Sequence, residues 1–338
     1  MDAKGKVNVL VTGGAGYIGS MTCKVLTNAG YNITVFDNLS TGHKELALFG
    51  DFIEGDLLCK ADLEEIFSTK SFDVVVHFAA LALVGNSVKD PFSYYENNVT
   101  GTLNLLETMA KYGTKALVFS STAAVYGEPC RIPIIEEHSL NPINPYGKTK
   151  LCIEWLLQDS VSAYGINHLA FRYFNACGAD PEGQCGEWHE PETHLIPNIL
   201  RAALGLANEL KIFGTNFPTA DGTCVRDYIH VYDLAEAHRL AIAYLLDGGF
   251  SRSLNLGSSK GTSVKQMHQL ACRITGRDIP FLIEEPRAGD PAILIASSEK
   301  AKRALGWKPV YDDPEIMLKH AWAWHQKNGF SPALKGKT

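Results

Sequence analysis

Two side chains that can move a proton stand four residues apart near the middle of the chain: Tyr146 and Lys150, in Pro145-Tyr146-Gly147-Lys148-Thr149-Lys150. An apolar helical pattern follows, and residues four apart on a helix share a face. A phenol of ordinary pKa near 10 must lose about three units to act as a base near neutrality, a cost of about 4 kcal/mol. One cation about 4 Å away in an effective dielectric near 20 supplies roughly that much. Upstream, the apolar run 117–120 leads into Ser121-Thr122. That places hydroxyls at a C-terminal strand edge, where open α/β sheets bind ligands. Tyr146, Lys150 and Thr122 are therefore the candidate catalytic group. A Tyr and a Lys at helical spacing also arise through ordinary packing, so the pair takes its meaning from what surrounds it.

After an apolar run at 7–11 comes Thr12-Gly13-Gly14-Ala15-Gly16-Tyr17-Ile18-Gly19. Glycines at 13, 16 and 19 permit a tight turn, close approach of a diphosphate to backbone N–H groups, and close packing of the helix that follows. The helix N-terminus stabilises the negative charge. A glycine-rich string alone also describes an ordinary turn, and Asp37 supplies the context. It ends the second predicted strand near the spacing of about 20 residues at which a carboxylate bonds ribose hydroxyls. A carboxylate there repels a 2′-phosphate, so NAD rather than NADP is the expected cofactor. The other role open to Asp37-Asn38 is a helix or turn cap. Asp56, in Glu54-Gly55-Asp56-Leu57, is likewise a strand-end residue of the kind that caps turns. With NAD expected, the positive nicotinamide joins Lys150 as a second cation beside the phenol.

The elements that must position these groups show in an alternation of short Val/Ile/Phe runs, at 7–11, 33–36, 74–78, 117–120 and 169–174, with helical patterns. Such alternation implies a parallel sheet covered by helices. Up to residue 175 the chain reads as one unit. Residues 178–192 are rich in Gly, Pro and charge, and shorter elements follow, as in a smaller loop-built domain closing over the first. The amphipathic stretch 232–246 and the apolar run 254–256 read as a helix and a strand that return to the large sheet. The chain's 338 residues, 46% of them hydrophobic, suffice for such a core. A net charge of -6 with no dense basic run argues against nucleic acid, so an anionic ligand must be held by individual arginines and backbone amides. Eight cysteines without a Cys-x-x-Cys pair, and no secretory signal, read as reduced, mostly buried thiols. The longest apolar stretches, such as 74–84, are too short to cross a bilayer. A cytoplasmic protein with no membrane partner is expected.

Residues 12–19, 120–127 and 146–150 together resemble the extended short-chain dehydrogenases/reductases. Arg172-Tyr173-Phe174-Asn175, Phe213-Gly214-Thr215 and Asp221-Gly222-Thr223-Cys224-Val225-Arg226-Asp227-Tyr228-Ile229-His230-Val231 narrow the resemblance to that family's nucleotide-sugar 4-epimerases, over about residues 7–307. The resemblance implies an α/β fold, a Rossmann-type doubly wound parallel sheet with a smaller C-terminal substrate-binding domain. The NAD-binding domain would take 1–175 and about 223–260, the nucleotide-sugar domain about 176–222 and 261–338. It further implies a homodimer and NAD-dependent 4-epimerisation of UDP-galactose to UDP-glucose. Tyr146 would remove the sugar 4′-hydroxyl proton while C4 delivers hydride to NAD, with Thr122 bridging hydroxyl and phenol. The transient 4-keto sugar would turn in the pocket and take the hydride back on its other face. Reduction removes the ring's positive charge, so the phenol's pKa rises when it must return the proton.

By the same resemblance NAD would lie against Gly13, Gly16, Tyr17, Ile18, Gly19, Asp37, Asn38, Leu39, Ser40, Thr41, Gly42, Asp56, Leu57, Phe78, Ala79, Ala80, Ala82, Asn97, Thr122, Tyr146, Lys150 and Phe174. The nucleotide sugar would lie against Thr122, Tyr146, Asn175, His194, Leu195, Lys211, Ile212, Phe213, Arg226, Arg287, Asp290 and Leu294. Arginine suits a diphosphate because its planar fork donates paired hydrogen bonds. Outside these strings Arg226 and Arg287 would equally read as surface ion pairs.

The chain departs from the family pattern at two positions. Ala82 stands where a lysine commonly approaches the cofactor phosphates. Leu294 stands where many members carry a bulky tyrosine or a small residue that limits the sugar's 2-substituent, and its intermediate size leaves N-acetylated sugars open. Sugar-nucleotide dehydratases and decarboxylases need acidic groups after the Ser/Thr, whereas this chain reads Ser121-Thr122-Ala123-Ala124. UDP-N-acetylhexosamine and UDP-pentose 4-epimerisation would use the same catalytic residues. A non-catalytic NAD and nucleotide-sugar-binding module would have no need of Thr122, Tyr146 and Lys150 together. Finally, 187–194 holds two histidines and three glutamates, but His189 and His194 lack a His-Glu-x-x-His pattern. This stretch reads as a solvated loop, and no metal is expected.

Overall fold

The computed structural model describes residues 5–287 and 290–330. The expected domains' outermost residues, 1–4 and 331–338, and positions 288–289 lie outside the described residues. Thirteen described strands follow in chain order: β1 (Asn8–Thr12), β2 (Asn32–Asp37), β3 (Asp51–Glu54), β4 (Val74–His77), β5 (Ala116–Ser120), β6 (Asn167–Tyr173), β7 (Asn175–Cys177), β8 (Leu210–Phe213), β9 (Val225–His230), β10 (Arg252–Leu256), β11 (Gly261–Ser263), β12 (Phe281–Glu284) and β13 (Ile293–Leu294). Seven of them form one parallel sheet in the order β10-β6-β5-β4-β1-β2-β3. The order reverses between β1 and β4, the point at which a doubly wound sheet opens a crevice at its carboxyl edge.

The helices are α1 (Tyr17–Asn28), α2 (Lys60–Thr69), α3 (Val84–Lys89), α4 (Pro91–Tyr94), α5 (Gly101–Tyr112), α6 (Pro145–Tyr164), α7 (Leu195–Ala203), α8 (Val231–Leu246), α9 (Val264–Thr275), α10 (Glu299–Leu305) and α11 (Pro314–Asn328). Because strand side chains alternate faces, β1 sends Val9 and Val11 into one core and Leu10 into another. The first core also holds Leu26 of α1 and Leu234, Ile242 and Leu245 of α8; the second holds Leu63 of α2, Leu105 of α5 and Leu157 of α6. Each such buried aliphatic contributes about 1.5–3 kcal/mol. Both faces are thereby covered, which is why these strands read as unbroken apolar runs.

The chain leaves this layer after β6. Strands β7, β9, β11 and β13 form a smaller four-stranded sheet, and β8 pairs with β12. A third core joins Ile199 and Leu200 of α7, Met267 of α9, and Leu318 and Trp322 of α11. The return to the large sheet is carried by α8 and by β10, which pairs with β6; β9 stays with the smaller sheet. Among the described residues no helix is long and apolar enough to cross a membrane. All eight cysteines are free thiols, but only Cys23, Cys177, Cys185 and Cys224 are buried, while Cys59 and Cys130 are exposed. The expectation of mostly buried thiols thus fits half of them.

Candidate active site

The glycine turn joins β1 to α1. Gly13 has φ of +74°, a left-handed backbone that favours glycine, and a Cβ there would stand 2.5 Å from the Ala79 nitrogen. A Cβ at Gly19 would collide with the Gly13 carbonyl oxygen, so the helix seats against the turn only because that position is bare. Gly16, the N-cap of α1, has no side chain to satisfy the first helical N–H groups, and they remain available to an anion. The segment after β4 closes the same cradle: Phe78 and Ala79 donate backbone N–H groups to the Thr12 carbonyl at 2.9 and 3.1 Å. Ala80 follows them, and Ala82 is exposed.

Asp37, at the end of β2, is buried and accepts hydrogen bonds from Ala15 N at 3.0 Å and Leu39 N at 2.9 Å. It therefore caps its own turn and holds the glycine turn as well. Burial raises its pKa, and the two N–H bonds oppose that. Leu39, Ser40, Thr41 and Gly42 curve past it, with His43 N donating to the Ala15 carbonyl at 2.9 Å. Asn38 donates to Asp56, whose other oxygen accepts from Leu58 N, so Asp56 caps a turn. Leu57 is buried, and its carbonyl accepts from Asn104. Tyr17 points its hydroxyl to the Gly178 carbonyl at 2.7 Å, and Ile18 packs on the first core. Asn97 donates to Asn98 at 2.9 Å. The buried Asn98, which sequence reasoning passed over, clamps Leu81 and reaches Thr149 at 3.2 Å. A tight bare turn, an open helix start and a strand-end carboxylate fit NAD.

At the end of β5, Thr122 N-caps a short helical turn, its Oγ1 accepting from Ala124 N at 3.1 Å. Its hydroxyl acts on the half-buried Tyr146 phenol, favouring the phenol's ionised form. Helix α6 begins with Asn144 as N-cap, accepting from Gly147 N at 2.8 Å, and Pro145 in its first turn. That start sets Tyr146 and Lys150 on the inward face. Lys150 is 2% exposed; its Nζ donates to the Ser120 carbonyl at 2.8 Å and lies 5.9 Å from the centroid of the Tyr146 ring. Burial lowers the lysine to about 7. Burial also pushes the phenol up to about 12, with the Thr122 bond opposing and Tyr94 adding to the rise. The expected lowering of the phenol by Lys150 is thus not made by the protein's own groups.

Behind these residues lies a network that sequence reasoning missed. Ser121 is buried and donates to Glu154 at 2.5 Å, so it faces away from the Thr122 side. Glu154 also receives Arg172 of β6, Nε at 3.0 Å and Nη2 at 2.5 Å. Arg172 reaches the Tyr126 hydroxyl at 3.0 Å, and Tyr173 bonds Ser120. Glu154 stands one further turn along the face of Tyr146 and Lys150, a signal present in the spacing.

In the smaller sheet, Asn175 of β7 donates to the Asp227 carbonyl at 2.9 Å. Arg226 of β9 pairs with Asp290 at 2.5 Å, and the Arg287 guanidinium stands 4.0 Å from the centroid of Phe213. Leu294 of β13 is in register with Arg226 and packs with Phe174 and Ala123 around Tyr126 and Leu151, next to Thr122. Lys211 is exposed and paired with Glu284, while Ile212 buries its side chain in the third core. His194 points its ring to Glu187 and Glu192, and Leu195 opens α7. The 187–194 stretch is not the expected solvated loop: Glu187 and Trp188 are buried, and Trp188 stacks on His43 at 3.4 Å.

A doubly wound parallel sheet carrying this turn, with Thr, Tyr and Lys gathered at its carboxyl edge, defines a nucleotide-cofactor enzyme of the short-chain dehydrogenase/reductase class. The chain belongs to the NAD dependent epimerase/dehydratase family, whose profile matches residues 9–257. It is 51% identical to a UDP-glucose 4-epimerase of Halalkalibacterium halodurans, covering 97% of this chain and 99% of the relative. A crystal structure of UDP-glucose 4-epimerase from Brucella ovis in complex with NAD superposes with a TM-score of 0.92 at 48% identity, over 94% of this chain and 98% of that one. The Bifidobacterium longum UDP-glucose 4-epimerase in complex with NAD+ and UDP gives 0.92 at 36% identity, over 96% and 99%. The fold and family expectations, and NAD as cofactor, are borne out.

Proposed function

We propose that the chain interconverts UDP-galactose and UDP-glucose, with Tyr146 as the proton-transfer group and Thr122 and Lys150 as its partners. The observation that carries this reading is the buried Lys150, anchored on the Ser120 carbonyl at the end of β5 and lying 5.9 Å from the centroid of the Tyr146 ring on the same helix face, with Thr122 capping the turn that follows that strand. NAD, when bound, supplies the hydride acceptor and donor. Tyr146 Oη takes the 4′-hydroxyl proton as the C4 hydrogen departs, and returns it to the 4-keto sugar after the sugar has turned. Thr122 holds that hydroxyl in line with the phenol. Lys150, anchored on the Ser120 carbonyl, is held on the helix face of the phenol, and the positive ring of bound NAD would supply the charge that makes the phenol a base. Arg226 and Arg287 bind the diphosphate, Asn175 and Leu195 border the sugar, and Leu294 limits the room at its 2-position.

We assign residues up to 175, together with 231–256, to the cofactor unit, and the remaining described residues to the nucleotide-sugar unit. The expected second stretch of about 223–260 narrows because β9 pairs outside the large sheet. A homodimer is supported by large apolar side chains exposed along α4, α5 and α6, with Phe92 85% and Trp155 61% exposed beside Leu103. Light scattering measures it. Eight unpaired thiols support a reducing, cytoplasmic setting.

The test is a substrate panel resolved by chromatography: UDP-galactose, UDP-glucose, their N-acetyl forms and the UDP-pentoses, with NAD present. Conversion of UDP-galactose is expected, and no turnover of either hexose would reject the reading. Leu294→Tyr is expected to suppress any N-acetylhexosamine turnover while sparing UDP-galactose.

A further inference from the structure

Between Gly178 and α7 the chain folds Glu187, His189, Glu192 and His194 around one point, their ligand atoms all within 4.8 Å of one another. His194 Nδ1 lies 2.9 Å from Glu187 Oε1 and 3.2 Å from Glu192 Oε1. His189 Nδ1 lies 3.3 Å from Glu187 Oε1 and 3.6 Å from Glu192 Oε2. Zinc bonds of about 2.0–2.1 Å in a tetrahedron set neighbouring donor atoms about 3.3 Å apart, close to the His–Glu separations here, with Glu192 facing His194 through one oxygen and His189 through the other.

A second observation separates this cluster from an ordinary ion-pair group. The side chains of Glu187 and Glu192 are 4% and 0% exposed. Yet His189 Nδ1 and Glu192 Oε2 are buried without a hydrogen-bond partner, although they face each other. Buried polar atoms left in this way call for an explanation, and an ion is one. Two carboxylates and two neutral imidazoles also cancel a divalent charge where both carboxylates are buried, and the N2O2 donor set suits zinc.

We propose that Glu187, His189, Glu192 and His194 form a structural zinc site. None of its four ligands belongs to the Tyr146 group, although the resemblance sets His194 against the nucleotide sugar. His189 packs edge-on to Tyr17 of the glycine turn, Trp188 stacks on His43, and His194 directly precedes α7. Zinc would therefore tie the segment beside the cofactor turn to the start of α7. Four protein ligands leave no open position, so the role is structural and not catalytic.

The test is elemental analysis of full-length protein made without an affinity tag, before and after chelation and zinc reloading, beside His189→Ala and Glu192→Gln. About one zinc per chain is expected after reloading, with a higher melting temperature than the chelated protein. Cobalt in place of zinc is expected to give the visible absorption of a tetrahedral site. Both variants should bind zinc more weakly by at least about 10-fold, the loss that even an outer-sphere partner can cause. Glu192→Gln is isosteric and keeps the test informative if His189→Ala misfolds. Reloaded protein with less than about a tenth of an equivalent of zinc would overturn the proposal and leave a proton-held ion-pair cluster. Retention of zinc by folded Glu192→Gln at wild-type affinity would overturn it too, pointing to cysteine ligands elsewhere.

Discussion

Burial pushes the Tyr146 phenol up to about 12, while the Thr122 hydrogen bond works the other way. Lys150 directs its Nζ to the Ser120 carbonyl, and burial lowers it to about 7. The protein's own groups thus keep the phenol protonated, and it becomes a base only with a further positive charge beside it. Such a residue moves a proton without holding the cofactor in place by itself. Tyr146→Phe is accordingly expected to retain NAD and lose about 100- to 10,000-fold in kcat, the range of a general-base contribution. Cofactor content of the purified variant and its turnover of UDP-galactose measure the two effects separately. Near-normal turnover would remove Tyr146 from the assignment.

At the scale of elements, α6 organises the site because its first turn is fixed by the Asn144 cap and Pro145, leaving Tyr146, Lys150 and Glu154 at successive intervals of four. Glu154 fastens the helix to β6 through Arg172 and to the end of β5 through Ser121. Removing one partner of a buried ion pair leaves the other charge uncompensated, typically at about 3–5 kcal/mol. Glu154→Gln is expected to lower stability by that order in urea unfolding, and Glu154→Gln with Arg172→Met to recover part of it. An unchanged midpoint would mean that water already reaches the pair. The spacing of Tyr146 and Lys150 was legible because helical periodicity is local. The use of Glu154 was not, because its partner is supplied by a strand distant in sequence. The seven-stranded sheet was legible for a similar reason: runs such as Val74 to Val76 face buried layers on both sides and carry an unbroken apolar signal. Strands β7, β11 and β13 are three residues or fewer, and tertiary contacts set their pairing. The 187–194 segment was read as solvated because its two histidines, five apart, lack a His-Glu-x-x-His pattern; only the path of the loop brings their rings together.

Across the whole molecule, His77, His168, His230 and His238 are buried, and burial lowers them to about 3, 4, 3 and 4. Each folds as a neutral ring: His77 bridges Thr12 and Thr102 at 2.7 and 2.8 Å, and His238 Nδ1 meets the Leu234 carbonyl at 2.8 Å. In the unfolded chain they charge near pH 6.5. Below that pH the unfolded state binds more protons, so these four groups contribute stability that is lost as pH falls toward 4. Asp227 and Asp233 oppose this, because burial raises both to about 6 and the folded state then takes up protons first between about pH 6 and 4. Of these six groups alone, four imidazoles against two carboxyls contribute a net loss of about 2.7 kcal/mol per pH unit near pH 5, at 1.36 kcal/mol per proton, and His43, His320 and His325, also lowered by burial, act in the same direction. Urea midpoints at fixed NAD are expected to drop between pH 7 and 5. His238→Phe keeps a ring beside Phe78 and Phe171, whose centroids lie 4.7 and 4.9 Å away, and is expected to flatten that slope by about one proton. A slope unchanged in His238→Phe would mean that His238 titrates alike in both states, and that its burial does not govern acid stability.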